Sequence, residues 1–316
     1  GDGSSVEEAG DLAALIAEAG AESTAIILTQ GSYAVSEPLA LGVRGPLSLI
    51  GSCAGSTTIE LATSMTAGAG SSVQIYGLGV RGPLSAEEGA NASAIELDGV
   101  SSFMLMQSTV TAEAGHGITS TATGSDGVLI SGVTFNAVRN TALSATEALG
   151  SWTVTGNLSK GPIGGDGISM AGGHADATVT ISTNEFEQID GNGISAQDAL
   201  GSWTVTGNLS RGPIGGHAMH FHNQGGTISL TANSVTGSAR GVLVNGGSAN
   251  WTITNNTVGG NEQGQGPQGG FEFFGLSAEG SLNCTGNTLN HVGGVAMSFM
   301  DSKAAATVAN NTMSNS

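Results

Sequence analysis

Apolar and polar residues alternate in short segments that recur along the whole chain. The segment at Trp152 (WTVTGN) and its copy at Trp203 alternate with a period of two, which predicts short strands with one face turned towards a core. Equivalent segments start at Leu47, Val73, Phe103, Val128, Trp152, Val179, Trp203, Ile228, Trp251, Leu282 and Ala306. Their separation of roughly 25 residues is typical of stacked coils. The three tryptophans open equivalent strands, so we expect them in the core rather than on a sugar-stacking surface.

The most regular part of the chain is a near-identical duplication. Residues 148–166 and 199–217 differ only between Lys160 and Arg211 and at the last residue of each copy. A weaker version, residues 179–186, lies midway between them. The repeating unit is therefore one coil of a solenoid and not a domain.

Asparagine recurs five residues after seven of these strand starts. The positions are Asn157, Asn184, Asn208, Asn233, Asn256, Asn287 and Asn311. Stacked coils would place these side chains one strand spacing apart, about 4.8 Å, so that their amides could bond along a ladder. We expect these asparagines to be buried and structural.

A second line of small and aliphatic residues opens a further strand in each coil. It consists of Gly117-Ile118, Ala142-Leu143, Gly167-Ile168, Gly193-Ile194, Ala218-Met219, Gly241-Val242, Gly270-Phe271 and Ala296-Met297. Two or three short strands per coil, joined by glycine-rich corners, predict an all-β fold, a right-handed parallel β-helix of about 11 to 12 coils. With its opening pattern over residues 25–61, the chain resembles the pectin-lyase-like superfamily.

The start of the chain predicts a cap for this solenoid. Residues 4–20 resemble one amphipathic helix, and the residues expected on its apolar face are Leu12, Leu15, Ile16 and Ala19. We therefore divide the chain into a capping helix (residues 1–23) and a single elongated β-helix (residues 24–316), because no linker interrupts the coils.

Charge and composition narrow the range of partners. The formal net charge of −18 disfavours nucleic acid and anionic membranes, and no apolar segment is long enough to span a bilayer. The chain begins without Met, as a mature secreted protein or a shortened chain would, and we expect a secreted or cell-surface location. No motif demands a cofactor, although Ca²⁺ or another divalent metal would be needed to bridge this acidic surface to an acidic polysaccharide. Cys53 and Cys284 are predicted to lie too far apart for a disulfide, and Cys284 is expected to fill the core.

The densest cluster of reactive side chains follows the second long repeat. His220 and His222 are two residues apart in a strand, so both should project from one outer face and form a weak candidate site for a metal ion. The same face is predicted to bind a ligand such as a sugar through His220, His222, Asn223, Gln197 and Asn245.

A catalytic hypothesis assigns roles to the neighbours of these histidines. His217 or His220 would act as general base, and Asp166 or Asp198 as acid or metal ligand. Arg240 would anchor a substrate carboxylate. The family resemblance implies either a Lys or Arg base beside a Ca²⁺ carboxylate cluster, or closely set aspartates, and neither arrangement is evident.

We therefore favour a non-catalytic extracellular or cell-surface β-helix with a structural, adhesive or filament-forming role. Either end-to-end association or a further segment beyond residue 316 would cover the apolar bore of the last coil, around residues 308–313. Side-to-side packing is compatible with the low content of charged residues. One alternative is a polysaccharide lyase or glycoside hydrolase acting at residues 217–223. Another is a carbohydrate-binding module that uses the loops at residues 85–93 and 259–269.

Overall fold

The chain winds into a parallel β-solenoid with three strands per coil. The computed structural model describes residues 11–19, 22–42, 45–83, 92–121, 125–148, 150–260 and 266–314. In this part of the chain, two parallel sheets have twelve strands each and the third has eleven. The coil number predicted from the repeat and the all-β fold class are confirmed.

Sheet 1 contains the strands that the tryptophans open. Its strands are Thr24–Leu28, Leu47–Gly51, Ser72–Tyr76, Ser102–Met106, Val128–Ser131, Ser151–Thr155, Thr178–Ser182, Ser202–Thr206, Thr227–Thr231, Asn250–Thr254, Ser281–Thr285 and Ala305–Ala309. The predicted strand starts from Leu47 to Ala306 are paired with one another from coil to coil.

Sheet 2 follows sheet 1 in each coil and has shorter strands. They are Gly31–Val35, Thr57–Leu61, Gly79–Arg81, Thr109–Ala112, Thr134–Val138, Leu158–Ile163, Glu185–Phe186, Leu209–Ser210, Ser234–Thr236, Thr257–Gly259, Thr288–Asn290 and Thr312–Ser314. Several have only two or three residues, too few to show an alternating pattern in the sequence.

Sheet 3 completes each coil and carries the histidine cluster. Its strands are Leu39–Ala40, Met65–Ala67, Ser93–Leu97, His116–Ser120, Leu143–Thr146, Ile168–Ala171, Ile194–Gln197, Ile214–Gln224, Ser238–Gly247, Gly269–Phe274 and Val295–Met300. The second predicted line of small residues lies at its entry. At Gly193, an added Cβ would lie 2.6 Å from the carbonyl oxygen of Ala218, which explains why this position of the line holds glycine.

The bore is filled by one continuous apolar cluster, to which all three tryptophans belong. Trp152 also donates its indole N–H to the carbonyl of Ser125 at 3.1 Å. Cys284 is buried and its thiol is free, and burial raises its pKa to about 11. Cys53 is exposed and also free.

A short helix, Asp11–Glu18, precedes the first strand and covers the first coil. Leu12 and Ile16 are buried in the same cluster as the bore. Leu15 is 43% exposed, contrary to our expectation, because the contact face is narrow and centred on the i, i+4 pair Leu12 and Ile16. Residues 4–10 of the predicted helix lie outside the described residues. No described helix has the length and apolar character needed to cross a bilayer.

The recurring asparagines form a side-chain ladder at the corner between sheets 1 and 2. Each Nδ2 donates to the Oδ1 of the asparagine in the next coil, at 2.9 to 3.0 Å, from Asn157 through to Asn311. Each Nδ2 also donates to a backbone carbonyl, as Asn208 does to Ile181 at 2.9 Å. The amides are almost fully buried as far as Asn287, so their hydrogen bonds replace those that water would make.

Candidate functional site

The histidine cluster lies where one strand bends from the corner onto sheet 3. Strand Ile214–Gln224 is eleven residues long, and its pairing with Ser238–Gly247 shifts register between Ile214 and His217. Such irregularities bend a strand and re-aim its side chains. His217 therefore lies at the corner, whereas His220 and His222 lie on the sheet itself.

The corner position forms a polar column across neighbouring coils. The Asp166 carboxylate accepts hydrogen bonds from the backbone N–H of Asn192 at 2.6 Å and from its Nδ2 at 3.1 Å. Asn192 Oδ1 in turn accepts from the backbone N–H of His217 at 2.9 Å, and His217 is paired with Arg240 in the next coil. The fold thus brings Asp166, His217 and Arg240 to one corner. The Asp166 carboxylate, however, already accepts two hydrogen bonds from Asn192.

Two further columns run along the face of sheet 3. His220 is paired with Ser195 on one side and with Leu243 on the other. His222 is paired in the same way with Gln197 and Asn245. Of the side chains that we expected to form a binding face, His220 lies in one column and Gln197, His222 and Asn245 lie in the next, whereas Asn223 lies in neither.

Burial controls the protonation of the two inner histidines. The rings of His217 and His220 have centroids 5.4 Å apart. Burial, first, and the charges of His220 and Arg240 together lower the pKa of His217 to about 4. Burial also lowers the pKa of His220, with a further contribution from His222, while the charge of Asp166 opposes the shift. Both imidazoles are therefore neutral at neutral pH.

The Nε2 atoms of these two rings are shielded from solvent. Neither the Nε2 of His217 nor that of His220 has a hydrogen-bond partner among the described residues, and both atoms are buried. A general base must reach the proton that it removes from a substrate. Because both Nε2 atoms are buried, neither histidine offers this nitrogen to a substrate at the surface.

Asp198 has a different role from the one that the catalytic hypothesis gives it. Its side chain is fully exposed, and hydrogen bonds from Asn223, first, and Gln197 lower its pKa, with a small contribution from His222. Asp198 and Asn223 both have positive φ angles, of 51° and 53°. They are neighbours in adjacent coils, joined by the hydrogen bond from Asn223 Nδ2, and Asp and Asn tolerate this backbone conformation.

The metal hypothesis rests on His220 and His222 alone. Within the described ranges, no group of three or more His, Cys, Asp or Glu side chains is placed to hold a metal ion. Of the two loops proposed for carbohydrate binding, residues 85–91 of the first and residues 261–265 of the second lie outside the described residues.

Known structures share this architecture at low sequence identity. The A-module of the mannuronan C-5 epimerase AlgE4 from Azotobacter vinelandii is 15% identical, with 99% of this chain and 93% of that chain covered and a TM-score of 0.50. A mannuronic acid specific family 6 polysaccharide lyase from human gut microbiota is 12% identical, with coverages of 97% and 81% and a TM-score of 0.48.

The surface protein and adhesin PfbA of Streptococcus pneumoniae is also similar. It is 13% identical, with coverages of 98% and 92% and a TM-score of 0.42. At these identities the likeness concerns the fold alone. No curated protein matches the chain significantly.

A family model supplies the classification. The model described as "Right handed beta helix region" matches residues 93–313, which is more than half of the chain. The match includes the duplicated coils, the asparagine ladder and the histidine cluster. The chain therefore belongs to the right-handed β-helix family, with a pectin-lyase-like fold.

Proposed function

We propose that this protein is a non-catalytic β-helix of the extracellular space or cell surface, with a structural or adhesive role. The observation that carries the proposal is the burial of the Nε2 atoms of His217 and His220, the two residues best placed to act as a base. The nearest carboxylate, Asp166, is held by two hydrogen bonds from Asn192. Asp198 is engaged in a turn. The cluster therefore serves to join coils at a bent corner.

Self-association belongs to the same proposal. The last described coil exposes apolar side chains that earlier coils bury: Phe299 is 42% exposed, Val308 44% and Met313 48%. Phe299 stacks on Phe273 of the preceding coil, with ring centroids 4.9 Å apart, so its other face is available to a further layer. A second copy that packs on this coil would bury these side chains.

A second candidate is a polysaccharide-acting or polysaccharide-binding protein. It is favoured by the neutral, closely spaced imidazoles of His217 and His220 beside Arg240, and by the polar columns through His222. Two of the structures with this fold are named for their action on mannuronan or mannuronic acid. For this candidate to hold, the corner must open and expose an Nε2 atom.

The experiment that separates the two candidates is an assay on alginate, pectate and neutral glucans. We expect the purified chain to produce neither unsaturated products nor new reducing ends. The matched variants are His220→Ala, within the cluster, and His174→Ala, at an exposed corner. Product that disappears with His220→Ala but persists with His174→Ala would replace our proposal with the enzymatic one.

A further inference from the structure

The outer face of sheet 1 carries a regular array of hydroxyl groups. We define the hydroxyl face as the outward side chains of six successive strands: Ser151–Thr155, Thr178–Ser182, Ser202–Thr206, Thr227–Thr231, Asn250–Thr254 and Ser281–Thr285. In each strand the second and fourth residues are buried, so the first, third and fifth face outwards. Every outward position is Ser or Thr except Asn250 and Asn283.

This array is regular in two directions. The six strands pair in parallel without a register shift, so that Thr180, Thr204, Ser229 and Thr252 form one straight column. Neighbouring strands are about 4.8 Å apart, and alternate residues along a strand are about 6.6 Å apart. The hydroxyl face is therefore a two-dimensional lattice of three columns.

The lattice is also rigid. The asparagine ladder runs through the same six coils, from Asn157 to Asn287, and its hydrogen bonds link the corners that follow these strands. Beneath the face, the inward residues include the buried Trp152, Trp203 and Trp251. Threonine is stiff at χ1 because it is branched at Cβ. Little side-chain entropy would be lost when a ligand orders this surface.

The chemistry of the face is unusual for this molecule. The chain has a formal net charge of −18, yet no outward residue of the six strands is charged or aromatic. Charged groups would be needed to bind a polyanion, and aromatic rings would give a sugar chain a flat apolar surface. The methyl and hydroxyl groups that remain suit a partner that is neutral, flat and periodic.

We propose that the hydroxyl face binds ice. The spacing between strands is close to one repeat of water oxygens on a prism face of crystalline ice, and the spacing along a strand is somewhat shorter than the other repeat. Hydroxyl groups on such a lattice can take the place of surface waters, while the threonine methyl groups fill the space between them. This activity goes beyond the proposed function and involves a different sheet from the histidine cluster.

The test uses the full 316-residue chain and two matched substitutions. Thr204 is exposed near the centre of the hydroxyl face, and Thr257 is exposed on a strand of sheet 2. We expect the wild type and Thr257→Tyr to shape ice crystals and to open a gap between the melting and freezing points. Thr204→Tyr should lose most of that gap, because a large ring prevents a flat contact. Thr252→Lys, which adds a charge two coils away, should lose it as well.

Circular dichroism and thermal unfolding of every variant show whether the fold is kept. The proposal is overturned if the wild type leaves ice crystals disc-shaped with no gap, or if Thr204→Tyr and Thr257→Tyr lose activity equally. It is also overturned if the wild type adsorbs to crystalline cellulose or chitin in a Thr204-dependent manner and does not adsorb to ice. Glycan turnover at the histidine cluster is assayed separately, so failure of one proposal does not imply failure of the other.

Discussion

At the scale of single residues, the buried asparagines are the most informative positions. An amide has donors and an acceptor on one short side chain, so each asparagine can bond the coil before it and the coil after it. Asn208 Oδ1 accepts from both the backbone N–H and the Nδ2 of Asn184, at 3.0 and 2.9 Å. A buried polar group that loses its hydrogen-bond partner destabilises the fold by more free energy than the hydrogen bond itself contributes net to stability. Spacing alone sufficed to predict the ladder positions.

Replacing Asn208 with leucine should therefore destabilise the fold. The change leaves the backbone N–H of Asn184 without an acceptor and removes one donor from Asn233 Oδ1. We expect Asn208→Leu to lower the free energy of unfolding by about 1 to 3 kcal/mol, measured by chemical denaturation. Asn283→Leu is the control, since Asn283 is exposed on the strand Ser281–Thr285 of sheet 1 and does not belong to the ladder. Equal stability of the two variants would show that the ladder does not stabilise the fold.

At the scale of elements, strand Ile214–Gln224 differs from its neighbours. The copy at residues 148–166 ends in Asp166, whereas the copy at residues 199–217 ends in His217, at the register shift that opens the bend. The sequence showed that His220 and His222 share a face, because the period of a strand is two. It did not show that the Nε2 atoms of His217 and His220 would be buried, because that depends on how neighbouring coils pack around the two rings.

This strand should make stability depend on pH. The pKa of His217 is about 4 in the folded protein and about 6.5 in the unfolded chain, so between these values the unfolded chain binds more protons. Stability is therefore fully present above about pH 6.5 and falls as the pH decreases towards 4. His220 and His116, whose pKa values are also lowered, act in the same direction.

Denaturation midpoints measured between pH 7 and 5 test this dependence. We expect His217→Asn to weaken it, because the group that takes up a proton on unfolding is gone. His174→Asn should leave it unchanged, since the His174 side chain is 65% exposed. Parallel pH profiles for the wild type and His217→Asn would contradict the expectation.

At the scale of the whole molecule, the first and the last described coils differ. The helix Asp11–Glu18 buries Leu12 and Ile16 against the first coil, whereas the last described coil exposes Val308 and Met313. Twelve coils at the strand spacing make a rod about 55 Å long. Its side walls include a charge-free hydroxyl face and a polar sheet 3, so different surfaces can serve different partners.

The exposed coil predicts association in solution. We expect the mass measured by light scattering to increase with protein concentration, because contact between coils removes Val308 and Met313 from water. Met313→Lys should reduce this increase. Ile27→Lys is the control, as Ile27 is 73% exposed on the first strand, far from the last coil. A constant monomer mass for the wild type at all concentrations would exclude this contact.

The sequence by itself determined the features that face inwards. The strand starts, the small residues at the entry to sheet 3 and the ladder asparagines repeat because a narrow bore accepts few side chains at each position. Their spacing therefore predicted the fold, the coil number and the burial of the tryptophans. It left the number of strands per coil between two and three, because the two-residue strands of sheet 2, such as Glu185–Phe186 and Leu209–Ser210, are too short to show a period.

Only the tertiary structure decided what the outer surfaces present. Outward residues are not constrained by packing. The surface that they form therefore depends on which coils lie side by side and in which register. The alternate Ser and Thr residues of sheet 1 were visible in the sequence as the polar partners of the apolar positions, yet pairing without a register shift was needed to make them a lattice. Likewise, only the packing of neighbouring coils decided that the Nε2 atoms of His217 and His220 are buried.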